Sequence, residues 1–185
     1  KEIVDGVVVE PSQAYVLPPG KVVTVKNGQL RLEKRKRTFN YPVNKFFQSA
    51  AQEWCEKVVG IVLSGTGNDG TEGLRKISEA GGIGLVQSPE TAQFNSMPSS
   101  AIPSGLVDEI LSPQDLARTV FELIRFSLKN PSLSPQDITL IDTDRLQQIL
   151  NLLAEHEDID FSHYKISTLA RRIHRRSALT YSNNL

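Results

Sequence analysis

The fold of this chain is most constrained by residues 58–63, an unbroken apolar run that leads directly into a glycine-rich turn. Runs without polar alternation are typical of strands buried on both faces of a parallel sheet. The turn is followed by a predicted helix that reaches about Ala80, where Gly81 and Gly82 end it. A second buried strand is predicted at residues 83–87. Strand, helix and strand in this order predict an α/β unit with a right-handed connection.

Elements on both sides extend this pattern. Upstream, Asn27 and Gly28 separate two alternating runs and predict a β-hairpin, because both residues tolerate positive φ, and Pro42 suits the first turn of a helix. Downstream, we expect a polar loop at residues 88–100, a third strand at residues 106–111 and a helix that starts at Ser112. The predicted fold class is α/β, with a partial doubly wound parallel sheet and a β-hairpin, followed by a small all-α segment.

A change of composition marks the predicted domain boundary. Residues 127–137, with the sequence SLKNPSLSPQD, are rich in proline and serine and predict a linker. The predicted domains are therefore residues 1–126 and residues 138–185. In the second domain, Thr143 can cap one helix, and another helix is predicted over residues 164–178. The side of this helix opposite its apolar face carries Arg171, Arg172, Arg175 and Arg176.

Composition narrows the classes of function. The 21 basic and 21 acidic side chains balance, which argues against generic nucleic-acid binding. No apolar run approaches the roughly 18–20 residues that a membrane span needs, so no membrane insertion is expected. Cys55 is the single cysteine, which excludes an internal disulfide framework; on an apolar helix beside Trp54, it is expected to be buried. The three histidines lack metal-ligand spacing, so no metal is expected, and a reducing, cytoplasmic setting is the default.

The glycine-rich turn resembles a dinucleotide fingerprint in its spacing alone. Gly65, Gly67 and Gly70 fit G-x-G-x-x-G between a strand and a helix, and Glu90 follows at the distance of a ribose-binding acid. Asp69, however, lies inside the supposed phosphate cradle. A carboxylate at this position would occupy the helix donors and repel a pyrophosphate, so nucleotide binding is disfavoured.

Asp69 itself has two interpretations. A fixed carboxylate at the end of a strand lies where α/β sheets bind ligands, and it could orient a catalytic histidine. Alternatively, Asp69 caps the helix that follows it, and its spacing alone favours this second interpretation. Residues 1–155 contain no histidine, so a catalytic histidine would have to come from elsewhere. Ser64, at the end of the first strand, is interpreted as a hydrogen-bonding residue rather than a nucleophile.

The sequence around this turn resembles a known family. Residues 64–73, SGTGNDGTEG, are similar to the T-G-M-G-x-D-G-A-x-G signature of chemotaxis protein-glutamate methylesterases, the CheB family. Segments AYVLPPG at 14–20, VNKFFQSAA at 43–51, AGG at 80–82, SMPSSAI at 96–102 and GLVD at 105–108 agree in order and spacing. The resemblance covers about residues 1–125. Three positions depart from the pattern: Asn44 replaces an aspartate, Thr66 a methionine and Ser96 a glycine.

The resemblance implies an activity and a site. The family removes methyl groups from receptor glutamate esters with a Ser–His–Asp triad, of which Asp69 matches the aspartate; its serine and histidine belong to units that precede Lys1. The implied partner is the cytoplasmic region of methyl-accepting chemoreceptors. The implied oxyanion and pocket region consists of Gly65, Thr66, Gly67, Asn68 and Met97. The three departures support an alternative, in which the protein is a degenerate, non-catalytic scaffold or regulatory module.

The end of the chain resembles a second family. Residues 160–176, DFSHYKISTLARRIHRR, are similar to the opening helices of chemotaxis receptor methyltransferases, the CheR family, in the form found fused to a methylesterase. In that family the S-adenosylmethionine site lies in a later domain, so no cofactor is expected in this chain, and S-adenosylmethionine is expected only for the missing methyltransferase domain. The four arginines are the implied receptor-binding residues. We therefore expect part of a bifunctional chemotaxis protein, inactive by itself, with an exposed sheet edge and exposed apolar surface.

Overall fold

A computed structural model describes residues 1–36, 41–129 and 143–157. It divides into two compact units, Lys1–Leu116 and Ala117–Leu185. The predicted helix over residues 164–178, with Arg171, Arg172, Arg175 and Arg176, lies outside the described residues. The strands are β1 (Val7–Val8), β2 (Lys21–Lys26), β3 (Gln29–Lys34), β4 (Val59–Val62), β5 (Ile83–Gln87) and β6 (Glu109–Leu111). The α-helices are α1 (Pro42–Trp54), α2 (Thr71–Glu79), α3 (Ser96–Ala101), α4 (Pro113–Lys129) and α5 (Thr143–Glu157).

A parallel sheet forms the centre of the first unit. Its strand order is β4-β5-β6, and both pairs are parallel. The middle strand, β5, is buried at four of its five positions, which explains why its sequence shows no polar alternation. Val62, Leu74, Val86 and Ala101 form the core between the sheet and the helices that cover it. This architecture confirms the predicted α/β class.

The hairpin is the second sheet of this unit. Strands β2 and β3 pair antiparallel over six residues each, and β1 adds to the outer side of β3. The turn residues Asn27 and Gly28 have φ angles of 52° and 70°, as a two-residue turn between right-twisted strands requires. The predicted hairpin is therefore confirmed.

Helix α1 connects the two sheets of the first unit. It packs against β2 on one side and α2 on the other, and its small residues Ala50 and Ala51 are buried. Ser49 Oγ accepts a hydrogen bond from the backbone N–H of Val25 at 3.0 Å. One turn further along α1, the Glu53 carboxylate accepts bonds from the N–H groups of Asn27 and Gly28, at 3.0 and 2.7 Å. The helix thus supplies acceptors to the hairpin backbone.

Several predicted boundaries differ from the structure. The segment predicted as a polar loop at 88–100 contains the start of α3, because Pro98 lies in the first helical turn, where no backbone N–H is needed. Cys55 was expected to be buried and is exposed, since the chain leaves α1 there with a φ of 50°. Helix α4 continues to Lys129, into the first three residues of the predicted linker. Within the described ranges, no helix is both long and apolar enough to cross a membrane.

Candidate active site

Asp69 lies in the turn between the end of β4 and the start of α2, and its side chain is half-buried. Its Oδ2 accepts a hydrogen bond from the backbone N–H of Val43 at 3.0 Å, and its Oδ1 accepts one from Asn44 at 2.9 Å. These donors belong to the first turn of α1, whose own N-cap residue, Tyr41, provides no side-chain acceptor. Asp69 therefore caps α1, a helix 26 residues earlier in the chain. The prediction that it caps the following helix is wrong.

Asn44 performs the corresponding task for α2. Its Oδ1 accepts hydrogen bonds from the backbone N–H groups of Gly70 and Gly73, at 2.9 and 2.7 Å. Gly70, the N-cap residue of α2, has a φ of 105° and no side chain with which to cap. Asp69 and Asn44 thus form a reciprocal cap: the Asp69 side chain closes the N-terminus of α1, which contains Asn44, and the Asn44 side chain closes the N-terminus of α2, which follows Asp69. The two helices are held at a defined distance and orientation as a result.

The reciprocal cap bears on the dinucleotide hypothesis. A phosphate bound at the start of α2 would take its hydrogen bonds from backbone N–H groups there. Two of these donors, Gly70 and Gly73, are already bonded to Asn44. A pyrophosphate would have to displace this amide and approach the Asp69 carboxylate. The geometry therefore argues against nucleotide binding, as the sequence did.

The beginning of the turn is bonded to the segment before α3. Gly65 N–H donates to the carbonyl of Phe94 at 2.8 Å, and Met97 N–H donates to the carbonyl of Gly65 at 3.0 Å. A Cβ atom on Gly65 would overlap the sulfur of Met97, so only glycine fits this contact without a shift. Ser100 Oγ donates to the Ser96 carbonyl at 2.7 Å and also lies 3.4 Å from the Gly67 carbonyl. The structure thereby brings Gly65 into contact with Met97, 32 residues later in the sequence, and Gly67 near Ser100.

Two other residues of the region implied by the resemblance, Thr66 and Asn68, are exposed at the surface of the turn. Ser64 is bonded on both sides: its N–H donates to Gln87 Oε1 at 2.9 Å, and its Oγ accepts from Phe94 N–H at 2.9 Å. This confirms Ser64 as a hydrogen-bonding residue at the strand end. Sequence reasoning missed Gln87 and Phe94 as its partners, because neither is near Ser64 in the chain.

The Asp69 carboxylate can accept further hydrogen bonds beyond the two from α1. An ionised carboxylate has about four lone-pair positions, and the two α1 donors occupy one on each oxygen. The remaining positions can accept a hydrogen bond from an imidazole N–H. In the described parts of the chain, no group of three or more His, Cys, Asp or Glu side chains is placed to hold a metal ion. The arrangement suits a carboxylate that orients another group.

Comparison with known proteins identifies the family of this site. The family model described as CheB methylesterase matches residues 1–120, which include the turn and both helices of the reciprocal cap. The chain belongs to the CheB methylesterase family. A second family model, CheR methyltransferase, all-alpha domain, matches residues 144–184. Both resemblances drawn from the sequence are confirmed.

Individual relatives agree with this assignment. A protein of Rhodobacter capsulatus described as "Uncharacterized 104.1 kDa protein in hypE 3'region" is 31% identical, covering 88% of this chain and 19% of that protein. A putative protein-glutamate methylesterase/protein-glutamine glutaminase of Leptospira interrogans is 33% identical, covering 65% of this chain and 64% of that protein. The crystal structure of the Thermotoga maritima CheB methylesterase catalytic domain matches with a TM-score of 0.53 and 29% identity, covering 60% of this chain and 62% of that one. The chain spans less than two thirds of each.

Proposed function

We propose that the protein containing this chain hydrolyses glutamate methyl esters on chemoreceptors, with Asp69 as the aspartate of a Ser–His–Asp triad. One observation carries the proposal. In a chain of the CheB family, the Asp69 carboxylate is held at the carboxyl end of the parallel sheet by two α1 amides and keeps lone pairs for a further donor. A carboxylate fixed in this way can hold an imidazole in one tautomer and stabilise the imidazolium that forms during catalysis.

The proposed reaction is acyl transfer. A serine hydroxyl attacks the ester carbonyl, while the histidine takes the serine proton and returns it to the departing methoxide, which leaves as methanol. Water then hydrolyses the acyl-enzyme and leaves a glutamate side chain. The proposed serine and histidine belong to a part of the protein outside these 185 residues. This agrees with the absence of histidine from residues 1–155.

The proposed oxyanion contact involves three consecutive residues of the turn, 66–68. The N–H groups of Gly65 and Met97 donate to carbonyls within the protein. The developing negative charge on the substrate oxygen needs backbone donors aimed at it. Among the residues implied by the resemblance, Thr66, Gly67 and Asn68 are therefore the proposed donors, and Gly65 and Met97 support the turn.

The match at residues 144–184 supports a further part of the proposal, a link to a receptor glutamate methyltransferase. Arg171, Arg172, Arg175 and Arg176 are the proposed contact with the cytoplasmic region of the receptor, where the protein would act. Ester hydrolysis by a triad needs no cofactor, and S-adenosylmethionine would serve only the methyltransferase domain. The name of the Leptospira relative also includes protein-glutamine glutaminase. Glutamine deamidation would use the same acyl-transfer steps, with ammonia as the leaving group.

Methanol release from methylated receptor cytoplasmic fragments tests the triad. The comparison includes this 185-residue chain, the longer protein that carries the preceding units, and the longer protein with Asp69→Ala. We expect activity only in the longer protein, and a loss of about 10²–10⁴-fold in the variant. Asp5→Ala is the matched control, because the Asp5 carboxylate also accepts a backbone hydrogen bond, from Leu32 N–H at 2.8 Å, but does so at the hairpin.

The other outcomes are distinct. Activity in the 185-residue chain would contradict this account of the nucleophile and the base. Absence of activity from every form would favour the alternative in which the protein is a non-catalytic scaffold. An equal loss in Asp5→Ala and Asp69→Ala would point to a general effect on folding.

A further inference from the structure

The reciprocal cap points to a second residue that acts at this site. We propose that Asn44 is a positioning residue for Asp69: it contacts the carboxylate with its backbone and anchors the backbone next to that carboxylate with its side chain. The inference rests on the proposed function, because it assigns Asn44 a role in orienting the triad aspartate.

The backbone around Asp69 is rich in glycine. The turn contains Gly65, Gly67 and Gly70, and the last two have φ angles of 88° and 105°. Glycine backbones have access to many conformations, so a turn of this composition does not by itself fix the direction of the Asp69 side chain. A restraint from outside the turn is required if the carboxylate is to keep one orientation.

Asn44 supplies that restraint through three hydrogen bonds. Asn44 N–H donates to Asp69 Oδ1 at 2.9 Å, while Asn44 Oδ1 accepts from Gly70 N–H at 2.9 Å. Gly70 directly follows Asp69, so Asn44 holds both the carboxylate and the adjacent peptide. The third bond, from Gly73 N–H at 2.7 Å, extends the restraint to the first turn of α2. Within the described ranges, Asn44 alone is hydrogen-bonded both to the Asp69 carboxylate and to the N–H of Gly70.

The chemistry of the Asn44 side chain determines which residues can replace it. Only the Oδ1 acceptor of Asn44 is used on α2, and an acceptor is what the N–H groups of a helix N-terminus need. Aspartate has the same length and shape and also presents an acceptor, whereas alanine presents none. The role we propose therefore predicts that Asn44→Asp retains the positioning and that Asn44→Ala loses it.

The test uses the longer protein that carries the serine and histidine, with methyl ester hydrolysis as the assay. Asn44→Ala is expected to lower kcat about 10–100-fold with KM within about twofold, because a misdirected carboxylate weakens catalysis more than binding. Asn44→Asp is expected to stay within about threefold of the unmodified protein. In the Asp69→Ala background, Asn44→Ala is expected to cause no further loss, since a residue that acts through Asp69 has nothing left to position.

Ser112→Ala is the matched control. Ser112 Oγ accepts from Asp115 N–H at 3.2 Å at the start of α4, so this variant also removes a helix cap, away from Asp69. Both capping variants are expected to lower the melting temperature, while only Asn44→Ala lowers kcat at a temperature where circular dichroism shows both folded. The proposal would be overturned if Asn44→Ala and Ser112→Ala had equal kcat. It would also be overturned if the separate losses of Asn44→Ala and Asp69→Ala multiplied in the double variant. Full kcat in Asp69→Ala would instead overturn the proposed function, and this inference with it.

Discussion

At the scale of single residues, Gly73 shows how closely the two helices of the site approach. It is buried in α2, and its N–H donates to Asn44 Oδ1. A Cβ atom at this position would lie 2.7 Å from Phe47 Cβ and 3.1 Å from Asn44 Cα, both atoms of α1. The absence of a side chain on Gly73 therefore permits the approach on which the reciprocal cap depends.

Gly73→Ala is expected to have two opposing effects on the free energy of unfolding. Alanine is favoured over glycine in a helix interior by about 1 kcal/mol. The new methyl group would overlap atoms close to the α1 backbone that cannot move without shifting the helix, which costs about 1–3 kcal/mol. We expect net destabilisation of the 185-residue chain, measured by urea unfolding. Gln48→Ala, at an exposed position of α1, is the control and is expected to change stability by less than about 0.5 kcal/mol. If Gly73→Ala were instead more stable than the unmodified chain, α1 and α2 would be able to move apart without cost.

At the scale of elements, α1 organises the first unit. One face carries Ser49 and Glu53, which accept hydrogen bonds from the hairpin, and its N-terminus is capped by Asp69. Its contacts thus connect the antiparallel hairpin to the turn after β4. The candidate site depends on α1 although the residue that drew attention in the sequence lies outside it.

The contact between Glu53 and the hairpin turn can be measured separately. The carboxylate accepts from Asn27 and Gly28, and a charged acceptor makes such bonds stronger than a neutral one. Glu53→Ala is expected to destabilise the chain by about 1.5–3 kcal/mol, and Glu53→Gln by less, because its amide keeps one acceptor. Urea unfolding gives the differences, with Gln52→Ala as the exposed control on the same helix. Equal stability of the three variants would mean that the turn needs no support from α1.

At the scale of the whole molecule, two family models match successive parts of the chain. The CheB methylesterase model ends at residue 120, and the CheR all-alpha model begins at residue 144. The linker predicted at residues 127–137 falls within this interval. This organisation is compatible with two domains that fold as separate units in one polypeptide.

Limited proteolysis tests the predicted linker. Brief digestion of the 185-residue chain with proteinase K is expected to cut first within residues 127–137, because proteases act on exposed segments of small and polar residues. Mass spectrometry of the earliest fragments locates the cut. The hairpin turn at Asn27 and Gly28 is an internal comparison, since it is held by Glu53 and should resist longer. Early cleavage in the turn, with 127–137 intact, would contradict the predicted boundary.

Much of the fold was predictable from patterns among residues that are adjacent in the sequence. The unbroken run before Ser64 and the run at Ile83–Gln87 predicted the parallel pair, and the Asn27-Gly28 turn predicted the hairpin. Burial on both faces and the backbone conformation of a tight turn act through adjacent residues, so they leave a local signal. The exposure of Cys55 and the start of α3 were predicted wrongly, because both depend on where the chain turns after a helix or before one.

The hydrogen-bond partners in the candidate site could not be predicted from such local patterns. The position of Asp69 between a strand and a helix was predictable from the residues around it, and the resemblance to the family motif indicated its importance. The capping of α1 rather than α2 by Asp69, and the capping of α2 by Asn44, became visible only in three dimensions. The physical reason is that a hydrogen bond depends on distance and direction in space. Partners 25 or 26 residues apart in the chain meet where α1 and α2 pack together.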